Sequence, residues 1–201
     1  MKTVRSTFLL LVALTLAIVA HSAFSQSDSL KITYVKPGIS FKEYNQFILN
    51  PLDLHDTRLL PPPWKEDADP RDWKLSEQNQ TFLRTAYAAA VRQGIESSGQ
   101  YNVVKNPTPG TLRLELRILS LQPWAARGEQ VTTKGYGVLS FEAHVRDART
   151  GELLAVYEGV QQVGEDYQEN TNFNKASNLA QHFNRWGHDI SNMLTAAHQR
   201  E

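Results

Sequence analysis

The chain of 201 residues contains no cysteine. That absence excludes a thiol nucleophile, a thiolate metal site and any disulfide framework. It also lacks an excess of either charge, with 21 basic and 21 acidic residues. A balanced surface has no dense basic stripe of the kind nucleic acid demands, and it gives no reason for docking on anionic lipid. The longest apolar run, Phe8 to Ala20, is thirteen residues. A helix needs roughly 20 to cross the hydrocarbon core, and no later stretch is apolar enough to span. Catalytic patterns are missing too: there is no serine elbow, no glycine-rich phosphate loop followed by Lys-Ser/Thr, and no paired-histidine helix motif. No catalytic residue, cofactor or metal ligand is expected.

What is present begins at the N-terminus. Lys2 and Arg5 precede the apolar run, and Ser22-Ala23-Phe24-Ser25-Gln26 follow it. Charged, apolar and small-residue regions in that order are a secretory signal peptide. Cleavage is expected between Ser25 and Gln26, with an uncleaved anchor as the alternative. The remaining 176 residues, 26–201, are read as one domain with 19 basic and 21 acidic residues, a net −2. A chain of that length buries about 70% of its unfolded surface and holds a core without staples.

The residues after the cleavage point alternate between strand and helix signals. Leu30 to Val35 is a short β-branched and aromatic strand ended by Pro37-Gly38. A second strand, Phe47 to Leu54, contains Pro51, which places it at an edge or a bulge. Residues 55–74 form a connector with Pro61-Pro62-Pro63-Trp64 at its centre and Trp73 near its end. Consecutive prolines impose an extended chain. It reads either as a stiff strap with its tryptophans packed on the body, or as an exposed segment for a partner.

Ser76 to Ser98 has helical spacing, with Ser76 as cap and Gly99 as stop. Its stripe of Leu83, Ala86, Tyr87, Ala90, Val91 and Gly94 is rich in small residues, which suits close packing on a sheet. Strands follow at Tyr101 to Lys105 and Thr111 to Leu121. The second has one buried and one wet face and a bulge near residue 119, where Leu119 and Leu121 break the alternation. The hairpin of Leu139 to Arg146 and Glu152 to Val163 turns through Asp147 to Gly151. A last helix places Leu179, Phe183, Trp186, Gly187, Ile190 and Leu194 on one face, with Asn178, Arg185, Asp189, Asn192 and Gln199 opposite. The fold class is therefore α+β: a mainly antiparallel or mixed sheet of about five to six strands with two long helices on one face.

Polar residues give no clear site. His55 lies in the connector and His144 on the wet face of the hairpin. His182 and His188 are six apart, on different sides of the helix, and His198 is near its C-terminus, where a cation suits the dipole. All are read as solvated or capping. Glu66, Asp67, Asp69 and Asp72 crowd the connector without the alternate spacing and glycine of a calcium loop.

The combination of Tyr34-Val35-Lys36-Pro37-Gly38, Tyr44, Tyr101-Asn102-Val103-Val104, Pro109-Gly110-Thr111-Leu112-Arg113-Leu114 and the Asp147 to Gly151 turn resembles bacterial envelope proteins of domain-of-unknown-function family 3313. The resemblance implies a Gram-negative periplasmic location and no established activity. Members often carry a lipidated cysteine after the signal peptide. This chain has none, so no lipid anchor is expected. The first functional expectation is a non-enzymatic binding or assembly module with an envelope-protein or cell-wall partner. Its candidate surface is Pro62, Trp64, Trp73 and Trp124. The alternatives are an envelope hydrolase using His55 or His144 with Asp147, and a small-ligand carrier lined by Trp64, Trp73 and Trp124.

Overall fold

The computed structural model describes residues 31–65, 69 and 73–200. The expected cleavage point at Ser25 and Gln26, and the carboxylates Glu66, Asp67 and Asp72, lie outside the described residues. Strands β1 (Lys31–Val35), β2 (Gln46–Leu49) and β3 (Arg58–Leu59) precede helix α1 (Glu77–Glu96). Strands β4 (Asn102–Val103), β5 (Thr111–Pro123), β6 (Thr132–Lys134), β7 (Gly137–Asp147), β8 (Leu153–Val163) and β9 (Tyr167–Glu169) follow, then helix α2 (Asn172–Arg200).

Seven strands form a mixed, mostly antiparallel sheet in the order β1-β8-β7-β5-β2-β4, with β3 also beside β5. The count exceeds the expected five to six because β3 forms within residues 55–74, which read as an irregular connector. β2 stops at Leu49, and the chain meets β5 again where Asp53 bridges Arg117 and where β3 pairs with Ser120 and Leu121. Pro51 falls in the gap, having no N–H to give a ladder. It does not put the strand at an edge, since β2 lies between β5 and β4. The expected irregularity at residue 119 is present: the β5–β7 register shifts between Ile118 and Ser120. Strands β6 and β9 pair in a separate two-stranded sheet. Three residues each are too few to show a period.

Both helices cover one face of the sheet. Tyr87 and Val91 of α1, Trp186 and Ile190 of α2, and Leu114, Leu116, Ala143 and Tyr157 of the sheet enclose one small apolar cavity. The Ser76 hydroxyl accepts from the Asn79 amide at 3.2 Å and caps α1. Gly99, at φ +70°, donates to the Glu96 carbonyl and closes it. The small-residue stripe of α1 has a different target from the expected one. A Cβ at Gly94 would lie 2.9 Å from the Gly187 Cα, and one at Gly187 would lie 2.4 Å from the Val91 carbonyl oxygen. The two glycines set a backbone-to-backbone crossing of the helices, so that end of the stripe faces α2 and not the sheet.

Two assignments on α2 are corrected. Asn178, placed on the polar side, is buried, because its side chain fits under Gly164 and accepts from the Gln168 amide at 2.8 Å. His182 is buried as well, its ring 5.0 Å from that of Trp186. Gln168 of β9 and Gly164 cover Asn178, and a helical pattern alone does not show such a cover.

Candidate functional site

The two edges of the sheet are built differently. β4 is two residues long, with Pro107 and Pro109 just beyond it. The Asn102 and Val104 amides donate inward to Asn45 and Phe47, so the polar groups of Val103 point outward. Helix α1 takes both. The Val103 amide donates to the Glu96 carboxylate at 2.9 Å, and the Arg92 guanidinium donates to the Val103 carbonyl at 3.0 Å. Arg92 and Glu96 are one helical turn apart and also pair with each other at 3.5 Å. Their side chains stand where a further strand would pair.

At the other edge, all five residues of β1 are exposed. Ile32 is 48% exposed, Val35 44% and Tyr34 39%. Ile32 and Val35 register with Tyr157 and Ala155, whose side chains point to the helix side, and Tyr34 registers with Val156 on the open side. Apolar surface is therefore bare on both faces of the strand. Among the described residues no side chain hydrogen-bonds to the β1 backbone. An edge of β-branched and aromatic residues with free main-chain groups is a template for strand addition.

The open face of the sheet carries polar side chains in pairs. Glu115 accepts from Arg146 at 3.0 Å and from Asn50 at 3.3 Å. Arg117 pairs with Asp56 at 2.7 Å and with Asp53 at 3.4 Å. His144 lies 2.9 Å from Glu142, two residues back on the same face. Asn50, Asp53, Glu115, Arg117, Glu142 and His144 line a groove of about 270 Å³. The Asp147 partner expected for His144 is engaged elsewhere. Its carboxylate accepts the amides of Arg149 and Thr150 in its own turn and the Tyr44 hydroxyl at 2.9 Å. Burial works against its charge, yet those three donors hold the carboxyl below its usual range, while burial and Asp147 push Tyr44 up to about 12.

The other expected site residues are dispersed. The His55 ring meets Asp56 at 2.8 Å and its amide donates to the Asp53 carboxylate at 2.9 Å, with the His55 and Asp56 side chains exposed. His188 contacts the Ser97 hydroxyl at 3.0 Å. His198 donates to the Phe41 carbonyl at 2.8 Å, so it ties down the loop after β1 and does not cap its own helix. Among the described residues no group of three His, Asp or Glu side chains is placed to hold a metal ion.

The described part of the connector is packed in one stretch and exposed in another. Leu60 donates to the Leu121 carbonyl, Gln122 donates to that of Pro61, and Pro62 is buried, so the prolines form a strap. Trp64 leaves it and is 55% exposed. Trp73 is half-buried in a groove with Leu59, Leu60 and Leu75, and Trp124 is half-buried beside Tyr136. Among the described residues no ring contact joins the three tryptophans, and the groove of Trp73 includes neither of the others. They do not form the expected common lining. The edge pair Arg92 and Glu96 was missed, although their i,i+4 spacing is visible in the sequence.

A family model described as "Protein of unknown function (DUF3313)" matches residues 18–190. No curated protein matches. Among solved structures, the chain is similar to a Xanthomonas campestris protein of family DUF330, at 10% identity and TM-score 0.46, covering 87% of this chain and 96% of that one. It is also similar to the PelC dodecamer subunit of Paraburkholderia phytofirmans, at 10% identity and TM-score 0.40, covering 81% and 96%. A minor lipoprotein of Acinetobacter baumannii matches at 10% identity and TM-score 0.30, covering 76% and 94%. The family match takes in most of the chain, from residue 18 to residue 190 within α2, and the chain belongs to the DUF3313 family.

Proposed function

We propose that this protein is an exported, periplasmic binding or assembly module without catalytic activity, and that it works through the β1 edge of its sheet. The observation that carries the reading is the contrast between a β4 edge closed by Arg92 and Glu96 and a β1 edge left bare. The charged, apolar and small-residue order of residues 1–25 supports export. The test is a photo-crosslinking residue at Tyr34 in cells making the full chain, with a second at exposed Gln78 on α1 as control. Repeated capture through Tyr34 and not through Gln78 is the expected result. No capture through Tyr34 would overturn the reading.

The His144–Glu142 pair favours a second reading, a hydrolase whose histidine acts as a general base on water. No nucleophile stands beside it: Ser140 shares its hydrogen bond with Ser120 at 2.6 Å and lies four residues away, about 13 Å along the strand. Hydrolysis of envelope esters or glycans that disappears in His144→Ala would establish this reading in place of the first.

A further inference from the structure

We propose that the occupant of the β1 edge is β1 of a second copy of this chain, paired antiparallel about a two-fold axis. The inference rests on the reading above and names the partner of that same surface.

The pattern of side-chain directions along β1 supports self-pairing. A regular strand alternates faces, but the register shift between Ile32 and Tyr34 sets Thr33 and Tyr34 together against Val156. The Thr33 hydroxyl lies 3.3 Å from the Val156 carbonyl and 3.5 Å from Glu158, on the open side of the sheet. From Ile32 to Val35 the order of faces is helix side, open side, open side, helix side. That order reads the same in both directions. A second copy turned end for end sets Ile32 against Val35 and Thr33 against Tyr34, each with its partner on its own face. A bulge ordinarily spoils an edge for a foreign strand. Here the same bulge in the partner restores the match, so the irregularity selects a copy of itself.

The charges agree. Lys31 would lie opposite the partner copy's residue 36, a lysine whose ammonium is held by a glutamate at 2.6 Å in each copy (Lys36 and Glu152). Lys31 itself registers with Glu158 across its own sheet. Each end of the pair brings two lysines and two glutamates together, so like charges are balanced there. Parallel pairing would stack Lys31 on Lys31. The pairs in the middle, β-branched against β-branched and threonine against tyrosine, are favourable cross-strand neighbours. Five residues per copy make a small interface, so association is weak and concentration-dependent.

The absence of cysteine allows a clean test. Single variants Ile32→Cys and Val35→Cys are made in the full chain and oxidised separately and as a mixture, with circular dichroism to confirm that each folds. A covalent dimer enriched in the mixture over either variant alone is expected. Sedimentation equilibrium of the unaltered protein should show a mass rising toward twice that of one chain as concentration rises, and Tyr34→Lys should abolish the rise. A constant single-chain mass with no mixed disulfide overturns the second copy as occupant. If Tyr34 crosslinks in cells still capture a different protein, the binding-module reading survives that outcome. If they capture nothing, both fail.

Discussion

The sheet of this protein ends in two opposite ways. At β4 the exposed strand is two residues long, and α1 supplies Arg92 and Glu96 to the outward carbonyl and amide of Val103. At β1 the strand is longer and apolar on both faces, and among the described residues no side chain hydrogen-bonds to its backbone. Sheet edges attract foreign strands, and folded proteins ordinarily block them. This chain has the means to block an edge and uses them on one side. The β1 edge is the surface proposed above to take a partner strand.

The largest effect should come from moving the helix that guards β4. Gly94→Val puts a side chain into the Gly187 backbone, where a Cβ alone would be 2.9 Å from the Cα and 2.2 Å from the Asn184 carbonyl oxygen. Overpacking of this kind costs about 3 kcal/mol, read as a lowered urea midpoint. It should also expose the β4 edge by displacing Arg92 and Glu96.

Acid acts on the core and leaves the edges out of the comparison. Burial, aided by the charge of Arg185, lowers His182 from 6.5 to about 4. In the unfolded chain this histidine takes up a proton as pH falls through 6.5, while the folded chain resists until about 4. Stability is therefore full above 6.5 and falls across that window, by about 3 kcal/mol at its acid end. The buried Nε2 has no hydrogen-bond partner to offset the loss. Urea unfolding at pH 7.5 and 5 should show it, and His182→Gln should flatten the difference. Tyr34→Lys should show the same pH slope as the unaltered chain.

Removing one guard is a milder change. Glu96→Ala leaves the nearly buried Val103 amide without an acceptor and should cost about 1–2 kcal/mol, given that the carboxylate is partly exposed. Glu96→Gln keeps an acceptor and should recover most of the loss. The smallest effect on folding belongs to β1, where Tyr34→Lys changes an exposed residue and should move stability by less than about 0.5 kcal/mol. A large loss there would mean that the edge serves the fold, and the comparison would break.

The long elements were legible in the sequence because their periods are long. β5 alternates from Leu112 to Ile118, and α2 repeats its apolar residues over many turns. The turn at Asp147 and Gly151 was legible from residue chemistry, and so was the Ser76 cap. Strands β3, β6 and β9 were not, since two or three residues carry no period and their pairing comes from distant segments. Asn178 was misplaced because its cover comes from β9 and Gly164, whose position no local pattern encodes, and His182 because its ring packs beside Trp186. The candidate surface was legible only in part. Trp64 is exposed, and the exposure of β1 depends on its place at the end of the strand order, which no local pattern encodes.

Amide hydrogen exchange at low and high protein concentration tests the contrast between the edges most directly. The account predicts that the Val103 amide is protected at every concentration, held by Glu96. It predicts that the outward-facing amides of β1, Val35 among them, gain protection as concentration rises. Exchange of β1 that ignores concentration, or a Val103 amide that exchanges as freely as those of β1, would contradict it.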